Sequence, residues 1–202
     1  MKLYNEAMPA PNPRRVRMFM AEKGIDIPLV HVPMRERAHK APEYLAKNSL
    51  GQVPCLELDD GTVIAESVSI CRYLEGLHPE PPLFGRGAKA QAEIDMWIRR
   101  VEFQLMNPIG QIWRHTHPYT AALLTQYKDF GESNREHAER AFRWLDKELD
   151  GRDYIAGEFS MADIVAIATV DFGSFIGVEA PDGCANFAGW RERVSARPSA
   201  AA

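Results

Sequence analysis

The chain has 202 residues, enough for one large domain or two small ones with proper cores. Its composition is 46% hydrophobic and 26% charged, which is ordinary for a globular protein, and its net charge of −4 disfavours a nucleic acid as partner. We recognise no signal peptide and no apolar run of the roughly 18 to 20 residues that a membrane helix needs, so we expect a cytoplasmic protein with no membrane partner. The three cysteines are widely spaced and form no C-x-x-C, so we expect no disulfide framework and no metal site.

Strand and helix signals alternate through the first third of the chain. Lys2–Asn5 predicts a short strand, and prolines at 9, 11 and 13 then precede a helix with apolar residues at i, i+3 and i+4 that stops at Gly24. The basic run at positions 14, 15 and 17 predicts an exposed helix face. Ile27–Val32 is β-branched and predicts a second strand, and Pro42–Asn48 predicts a short helix.

The next segment, QVPCLELDDGTVIAES, predicts a β-hairpin that leads into a helix. Cys55–Leu58 and Val63–Ile64 flank a D-D-G-T corner, and Ser67 begins a helix with inward-facing apolar residues. The order strand, helix, strand, helix, strand, strand, helix predicts an α/β domain with a mixed four-stranded sheet.

Strand signals stop after the proline-rich segment 78–82, which we interpret as the domain boundary. Apolar residues at helical spacing predict one helix through Leu105, ended or kinked at Pro108, and another through Leu149. In EFSMADIVAIA, Ser160 and Asp163 predict a capping box in front of a buried helix. The sequence therefore predicts a first domain at 1–79 and an all-helical domain at 88–202.

The Val53-Pro54 dipeptide has two interpretations. A cis bond would turn the backbone N–H and C=O of Val53 outward, where they could hold an extended peptide by strand addition. An ordinary trans proline at a strand start is the alternative, and the dipeptide alone favours it.

Glu66-Ser67 also has two interpretations. The start of a helix binds carboxylates, so Ser67 could donate to a ligand carboxylate while Glu66 accepts from an ammonium group. An amino-acid end would satisfy both, whereas the simpler alternative is that Ser67 only caps its helix.

Four motifs in the same order resemble the cytosolic glutathione S-transferase family, fungal and bacterial branch. QVPCLEL-DDGTVIAES-VSICRYL is similar to the core of the family's glutathione-binding domain. KLYNEAMPAPNPRRVRMFMAEKGI and HKAPEYLAKNSLGQVP resemble its catalytic loop and its second helix, and EFSMADIVAIA resembles its buried C-terminal helix. The resemblance covers some 150 residues and implies a thioredoxin-like N-terminal domain followed by an all-helical bundle.

The resemblance implies an enzyme that binds glutathione, stabilises its thiolate and conjugates it to small electrophiles, as a homodimer, with glutathione as co-substrate and no tightly bound cofactor. It implies that Pro54 is cis and that Val53 pairs with the cysteinyl part. Glu66 and Ser67 would take the γ-glutamyl end. Gln52 and the His39-Lys40 pair stand where family members contact the γ-glutamyl and glycine ends, although a solvated loop is the alternative for the pair.

The catalytic position departs from the family, which has Tyr, Ser or Cys there to hold the thiolate. In this chain the position falls on Ala10, which has no side-chain donor. Tyr4 lies inside the first strand, so we select Asn12 with the start of the first helix, because an amide can donate to a thiolate and a helix N-terminus carries partial positive charge. A structural turn asparagine, a nearby arginine and a water held by the second domain remain alternatives.

The electrophile is expected near the end of the first long helix of the second domain. Met106, Trp113 and His115 could line an adaptable apolar pocket there, and ordinary interhelical core is the alternative. Two other functions on the same fold stay open: a glutathione-dependent disulfide reductase or peroxidase, and a binding protein without turnover, which the absence of a donor at Ala10 keeps open.

Overall fold

The computed structural model describes residues 1–6 and 10–202. The proline at position 9 and its two predecessors lie outside the described residues. Within that part of the chain, the strands are β1 (Lys2–Asn5), β2 (Leu29–His31), β3 (Cys55–Glu57) and β4 (Val63–Ala65). They form one sheet in the order β2-β1-β3-β4, with β1 parallel to β2 and antiparallel to β3. This mixed four-stranded sheet confirms the predicted α/β class.

The helices of the first unit are α1 (Pro11–Lys23), α2 (Pro42–Leu45) and α3 (Ser67–Leu77), with 3-10 turns at Met34–Glu36 and Ala38–Lys40. The structure shortens three predicted elements: β2 has three residues, α2 has four, and β3 ends at Glu57 instead of Leu58. The order of strands and helices is the predicted one. Gly24 ends α1 in a left-handed conformation, and prolines at positions 33 and 79 follow β2 and α3.

The basic residues of α1 are not the exposed face that the sequence predicts. The helix packs against α3, and the side chain of Arg15 is only 2% exposed. Arg14 Nη2 donates to the carbonyl of Ala200 at 2.9 Å, and Arg17 Nη1 donates to Asn5 Oδ1 at 2.7 Å. Burial lowers the pKa of Arg17, with Arg14 adding to the effect. The prediction failed because a run of like charges does not by itself show which helix face meets a neighbour.

The β3–β4 hairpin turns at the predicted D-D-G-T corner. Leu56 pairs with Ile64, and the backbone N–H of Thr62 donates to Asp60 Oδ1 at 2.8 Å. Gly61 has φ 86°, a conformation that side chains with a Cβ rarely adopt. The hairpin places the residues just before β3 and just after β4 next to each other.

The second unit is helical apart from one isolated bridge between Ala156 and Glu158 in the described residues. Its helices are α4 (Gly87–Val101), α5 (Asn107–Thr116), α6 (Pro118–Ala121), α7 (Lys128–Glu148), α8 (Met161–Phe175) and α9 (Ala185–Ser195).

A single π turn, Glu102–Met106, joins α4 to α5. The backbone N–H of Asn107 donates to Glu102 O, five residues back. The next residue, Pro108, has no N–H to continue an ordinary α-helical ladder, and the wider turn absorbs the mismatch. The predicted end or kink at Pro108 is therefore a local widening, and helix continues beyond it.

The capping box of α8 is present as predicted. Ser160 Oγ accepts from the N–H of Ala162, and Asp163 Oδ2 accepts from the N–H of Ser160 at 3.0 Å. Asp163 Oδ1 also accepts from the N–H of Ile155 at 3.0 Å and from Trp190 Nε1 at 2.8 Å. Burial raises the pKa of Asp163 to about 6, while these donors oppose the rise. This carboxylate therefore ties a loop and α9 to the most buried helix of the unit.

The chain divides into two compact units, residues 1–82 with 198–202, and residues 83–197. The last five residues group with the first unit, a feature for which the sequence carries no signal. The functional division at 1–79 and 88–202 stays a prediction. None of the helices within the described residues has the length and apolarity of a membrane span.

Candidate functional site

Two segments leave the β3–β4 hairpin side by side. Cys55 pairs with Ala65 in the antiparallel ladder. The positions beyond this pair are Pro54 and Val53 on one segment, and Glu66 and Ser67 on the other, so the hairpin register brings the two predicted binding motifs together. The Val53-Pro54 peptide bond is cis.

The backbone of Val53 has no hydrogen-bond partner within the described residues. Neither its N–H nor its C=O makes a hydrogen bond with any residue in 1–6 or 10–202, and the side chain is buried. The preceding carbonyl, that of Gln52, accepts from Tyr44 Oη at 2.6 Å and from Asn48 Nδ2 at 2.9 Å. The loop is thus held in place while one donor and one acceptor stay available for strand addition.

Glu66 stands at the start of α3 in a strained conformation. Its φ is 65° and its ψ is 119°, and its side chain is exposed. A non-glycine residue with positive φ is uncommon and is often found at functional sites. The exposed carboxylate can therefore accept a hydrogen bond from a ligand above the helix start.

Ser67 does not cap α3. Glu66 occupies the cap position, Ser67 is the first helical residue, and neither side chain accepts a capping hydrogen bond. The Ser67 side chain is 5% exposed, and its Oγ lies 3.5 Å from Arg15 Nη1. The simpler interpretation of Ser67 as a helix cap is therefore wrong.

His39 and Lys40 lie on the 3-10 turn Ala38–Lys40, beside the loop that precedes Gln52. Lys40 Nζ donates to the carbonyls of Leu50 and Gly51 at 2.9 and 3.0 Å. A Cβ on Gly51 would lie 2.6 Å from the carbonyl oxygen of His39, so the close approach of the two segments requires glycine there. The structure thus brings this pair to the loop that carries the cis proline.

The surroundings of His39 favour its neutral form. Burial lowers its pKa, and Lys40 and Arg37 lower it further. Its Nδ1 is buried without a hydrogen-bond partner in the described part of the chain. A neutral imidazole can donate one hydrogen bond to a ligand and accept another.

The start of α1 lacks a hydroxyl or thiol. Ala10 is at the cap position, and two of the next three residues, Pro11 and Pro13, have no N–H. Asn12 lies between them, half-buried, and its side chain makes no hydrogen bond with the residues that the structure describes. Its backbone N–H and side-chain amide are therefore the donors of the first turn.

Tyr4 is committed to another partner. Its hydroxyl donates to Glu57 Oε2 at 2.7 Å, and Lys47 Nζ approaches the same oxygen at 2.7 Å. The hydrogen bonds from Lys47 and Tyr4 lower the pKa of Glu57 to about 2. The Tyr4 hydroxyl is thus part of a surface ion-pair network.

In the second unit, Trp113 lies at the centre of an aromatic cluster. Its ring centroid is 4.1 Å from that of His117, 5.4 Å from that of Phe172 and 5.8 Å from that of Tyr119. Phe175, half-exposed, is 6.2 Å away. We call these five side chains the Trp113 cluster. Sequence reasoning missed the two phenylalanines because they come from α8, far along the chain.

The other two predicted pocket residues differ in their surroundings. Met106 Sδ lies 3.7 Å from Thr169 Oγ1, so it faces α8 as Trp113 does. The ring contacts of His115 are with Tyr127 and Phe130, on the α7 side. The structure therefore groups Met106 with the α8 side and places His115 among different neighbours.

Among the residues that the structure describes, no group of three or more His, Cys, Asp or Glu side chains is arranged to hold a metal ion.

A thioredoxin-like α/β unit followed by a helical unit, with a cis proline facing a helix start, defines the class of protein. Comparisons identify the family. Residues 10–77 match the model of the glutathione S-transferase N-terminal domain, and residues 112–198 match that of the C-terminal domain. Glutathione S-transferase 2 of Saccharomyces cerevisiae is 37% identical over 194 residues, which cover 94% of this chain and 83% of the yeast protein.

Solved structures agree. The crystal structure of Gtt2 from Saccharomyces cerevisiae matches with a TM-score of 0.93 and 36% identity over 98% of both chains. A class Gtt2 glutathione S-transferase of Vibrio parahaemolyticus matches with a TM-score of 0.86 and 35% identity, covering 98% of this chain and 95% of that one. The chain belongs to the glutathione S-transferase family.

Proposed function

We propose that this protein binds glutathione, favours its thiolate and transfers it to small electrophiles. One observation carries the proposal: the Val53 backbone, which has no partner within the described residues, lies next to the Glu66-Ser67 helix start. The hairpin brings them together because both segments leave it directly beyond its last strand pair, Cys55 with Ala65. A γ-glutamyl tripeptide has a peptide backbone for the first and an ammonium and carboxylate for the second.

The roles divide along the tripeptide. Val53, in front of cis Pro54, pairs with the cysteinyl backbone, and Glu66 and Ser67 take the γ-glutamyl ammonium and carboxylate. Gln52 lies beside the same end. His39 and Lys40 serve the glycine end, supported by the Lys40 contacts that hold the loop at 50–51.

Asn12 is the thiolate donor in this proposal. A free thiol has a pKa of about 8.5, and lowering it by about two units needs roughly 2.7 kcal/mol of preferential thiolate stabilisation. We assign this stabilisation to the Asn12 side-chain amide, which has no hydrogen-bond partner among the described residues, and to the partial positive charge at the start of α1.

Replacing Asn12 tests this role. Asn12→Ala should raise the pKa of bound glutathione, read from thiolate absorbance across pH, by about one unit. Asn186→Ala is the matched control, because Asn186 is exposed in the second unit and should leave that pKa unchanged. An unchanged pKa in Asn12→Ala would refute the assignment.

We propose the Trp113 cluster, together with Met106, as the surface that binds the electrophile. Its support is an apolar, half-exposed set of rings that can stack on a planar substrate. The sequence predicts His115 for the same pocket, but we expect it to contribute less to binding the electrophile. The aromatic rings that it contacts, Tyr127 and Phe130, lie on the α7 side. Trp113→Ala should raise the KM for an aromatic halide several-fold while the Kd for glutathione stays the same. His115→Ala should raise the KM for the halide by a smaller factor.

One set of assays separates the candidate activities. Glutathione binding is measured by calorimetry, followed by turnover with an aromatic halide, a hydroperoxide and a mixed disulfide. Turnover of the halide supports the transferase. Turnover confined to the other two indicates a peroxidase or a reductase, and binding without any turnover indicates a binding protein. Absence of binding contradicts all three.

We propose a cytoplasmic homodimer with glutathione as co-substrate and no resident cofactor. Cys55, Cys71 and Cys184 are buried thiols without a disulfide, which suits a reducing compartment. A groove of about 600 Å³ between the π turn and α7 supports self-association, since Phe103 and Phe130 on its walls are 65% and 50% exposed.

The charges beside this groove are compatible with a second copy. Along α7, three arginines form ion pairs with three glutamates, so these six residues together carry no net charge: Arg135 with Glu132, Arg140 with Glu136, and Arg143 with Glu139. Phe103→Ser should shift the protein from dimer toward monomer in sedimentation. Leu29→Ser, an exposed residue of the edge strand β2, should not. A monomeric wild-type protein would contradict the proposal.

A further inference from the structure

A buried cation lies beneath the start of α3. The guanidinium-bearing side chain of Arg15 is 2% exposed, and its Nη1 lies 3.5 Å from Ser67 Oγ. Arg15 comes from α1 and Ser67 from α3, so the contact crosses the interface of these two helices. Burying a guanidinium is costly unless negative charge or hydrogen-bond acceptors compensate for it. The Ser67 hydroxyl is one of the acceptors beside the Arg15 guanidinium.

The contact determines the direction of the Ser67 proton. A guanidinium can only donate, so Ser67 Oγ is the acceptor in this pair. A serine hydroxyl carries one proton of its own, which must then point to another acceptor. Within the described residues, Ser67 Oγ has no hydrogen bond besides the one from Arg15, so its own proton is not committed to an acceptor in that part of the chain. The hydroxyl is left as a donor at the place where the first-turn N–H groups of α3 also attract an anion.

We propose that Arg15 is a positioning residue that selects the α-carboxylate of the γ-glutamyl group by orienting and polarising the Ser67 hydroxyl. The inference rests on the proposed binding of glutathione. Arg15 does not touch the ligand in this arrangement. It adds a fixed positive charge behind the helix start, in a buried place where solvent screens little.

Arg15 also has a structural role that the test must separate. Burial raises the pKa of the Cys71 thiol, Arg15 lowers it, and Glu75 raises it. The charges of Arg15 and Glu75 therefore both lie near Cys71, in the middle of α3. Loss of Arg15 would therefore disturb the α1–α3 interface whatever the ligand. A readout is needed that responds to the ligand carboxylate and not to the general integrity of the fold.

Two ligands provide that readout. Glutathione is compared with γ-aminobutyryl-cysteinyl-glycine, which differs only by hydrogen in place of the α-carboxylate. Their Kd values are measured by calorimetry for the wild type, Arg15→Met and Arg14→Met. Arg14 is the control because it is the neighbouring arginine on α1 and donates to Ala200 O. The wild type should prefer glutathione by at least about tenfold, as expected for a charged hydrogen-bonded group.

In Arg15→Met, this preference should fall by about tenfold, because glutathione binding weakens while binding of the analogue changes less than about threefold. The KM for glutathione should rise with kcat at saturation nearly unchanged. Arg14→Met should keep the wild-type preference. Equal weakening of both ligands in Arg15→Met would show a purely structural role and overturn the proposal, as would an unchanged preference.

A second variant covers the case in which Arg15→Met does not fold. Arg15→Lys keeps the charge but not the donor geometry toward Ser67, so it should lower the preference by several-fold. In a Ser67→Ala background the same change should lower it no further, because the orientation acts through the hydroxyl. An equal loss in both backgrounds would overturn the proposal. Failure of the wild type to bind either ligand would instead contradict the proposed function.

Discussion

Glu66 combines an exposed carboxylate with a strained backbone. Its φ of 65° places the carboxylate above the start of α3, and its side chain contributes little packing. Ligand binding and stability should therefore respond differently to its replacement, since the strain belongs to the backbone and the binding to the side chain.

We expect Glu66→Ala to weaken glutathione binding by about tenfold, through loss of a charge-assisted hydrogen bond to the ligand ammonium. The free energy of unfolding should change by less than about 0.5 kcal/mol, as for other exposed positions. Calorimetry and urea unfolding measure the two quantities. A large loss of stability with unchanged affinity would contradict this assignment.

Glu57 makes stability depend on pH. Lys47, Tyr4 and Lys2 surround its carboxylate and hold its pKa at about 2, below its value in the unfolded chain. A group with a lowered pKa stabilises the folded state above its unfolded pKa of about 4.3, and this contribution disappears as the pH falls toward 2.

The stability difference between the wild type and Glu57→Gln should therefore narrow between about pH 5 and pH 2. Urea unfolding at several pH values measures it. High salt should reduce the difference at pH 7 because exposed ion pairs are screened. A difference that stays constant across this range would show that the carboxylate contributes no charge-dependent stability.

At the scale of elements, α8 depends on one buried carboxylate. Asp163 accepts from the backbone of Ser160 and Ile155 and from the Trp190 indole, so it caps its helix and also links α8 to α9. These three N–H groups are donors, and removing the acceptor would leave them buried without partners.

Asp163→Ala should destabilise the protein by about 3 kcal/mol or more, and chemical unfolding should show it. The matched control is Asp153→Ala. Asp153 forms an exposed ion pair with Arg193, and its loss should cost less than about 1 kcal/mol. Similar effects of the two substitutions would contradict the role given to the buried carboxylate.

At the scale of the whole molecule, the end of the chain belongs to the first unit. A 3-10 turn, Pro198–Ala201, packs on α1, where Ser199 Oγ donates to Glu22 and Arg14 donates to the Ala200 carbonyl. Five residues that follow the helical unit in sequence thus contribute to the unit that contains the proposed glutathione site.

Removing residues 198–202 should lower the free energy of unfolding by about 1 to 2 kcal/mol, through the loss of two hydrogen bonds and the packing of the turn. Ser199→Ala should reproduce about half of this loss. Thermal and urea unfolding measure both. A truncated protein as stable as the full chain would show that the turn contributes nothing to the first unit.

The sequence by itself determined the order of strands and helices, the hairpin corner, the capping box of α8 and the segments to which we assign the proposed binding site. These features depend on residues a few positions apart, such as Ser160 with Asp163, so local physics encodes them. The same locality made Val53-Pro54 and Glu66-Ser67 recognisable before their adjacency was known.

Only the tertiary structure decided which faces of the helices meet. It buried Arg15 under Ser67, although the basic run predicted exposure. It also assembled the Trp113 cluster from α5, α6, α8 and the residue that joins α5 to α6. It placed His115 on the α7 side. These outcomes depend on packing between residues far apart in the chain, and burial against a distant neighbour leaves no signal in a short stretch of sequence.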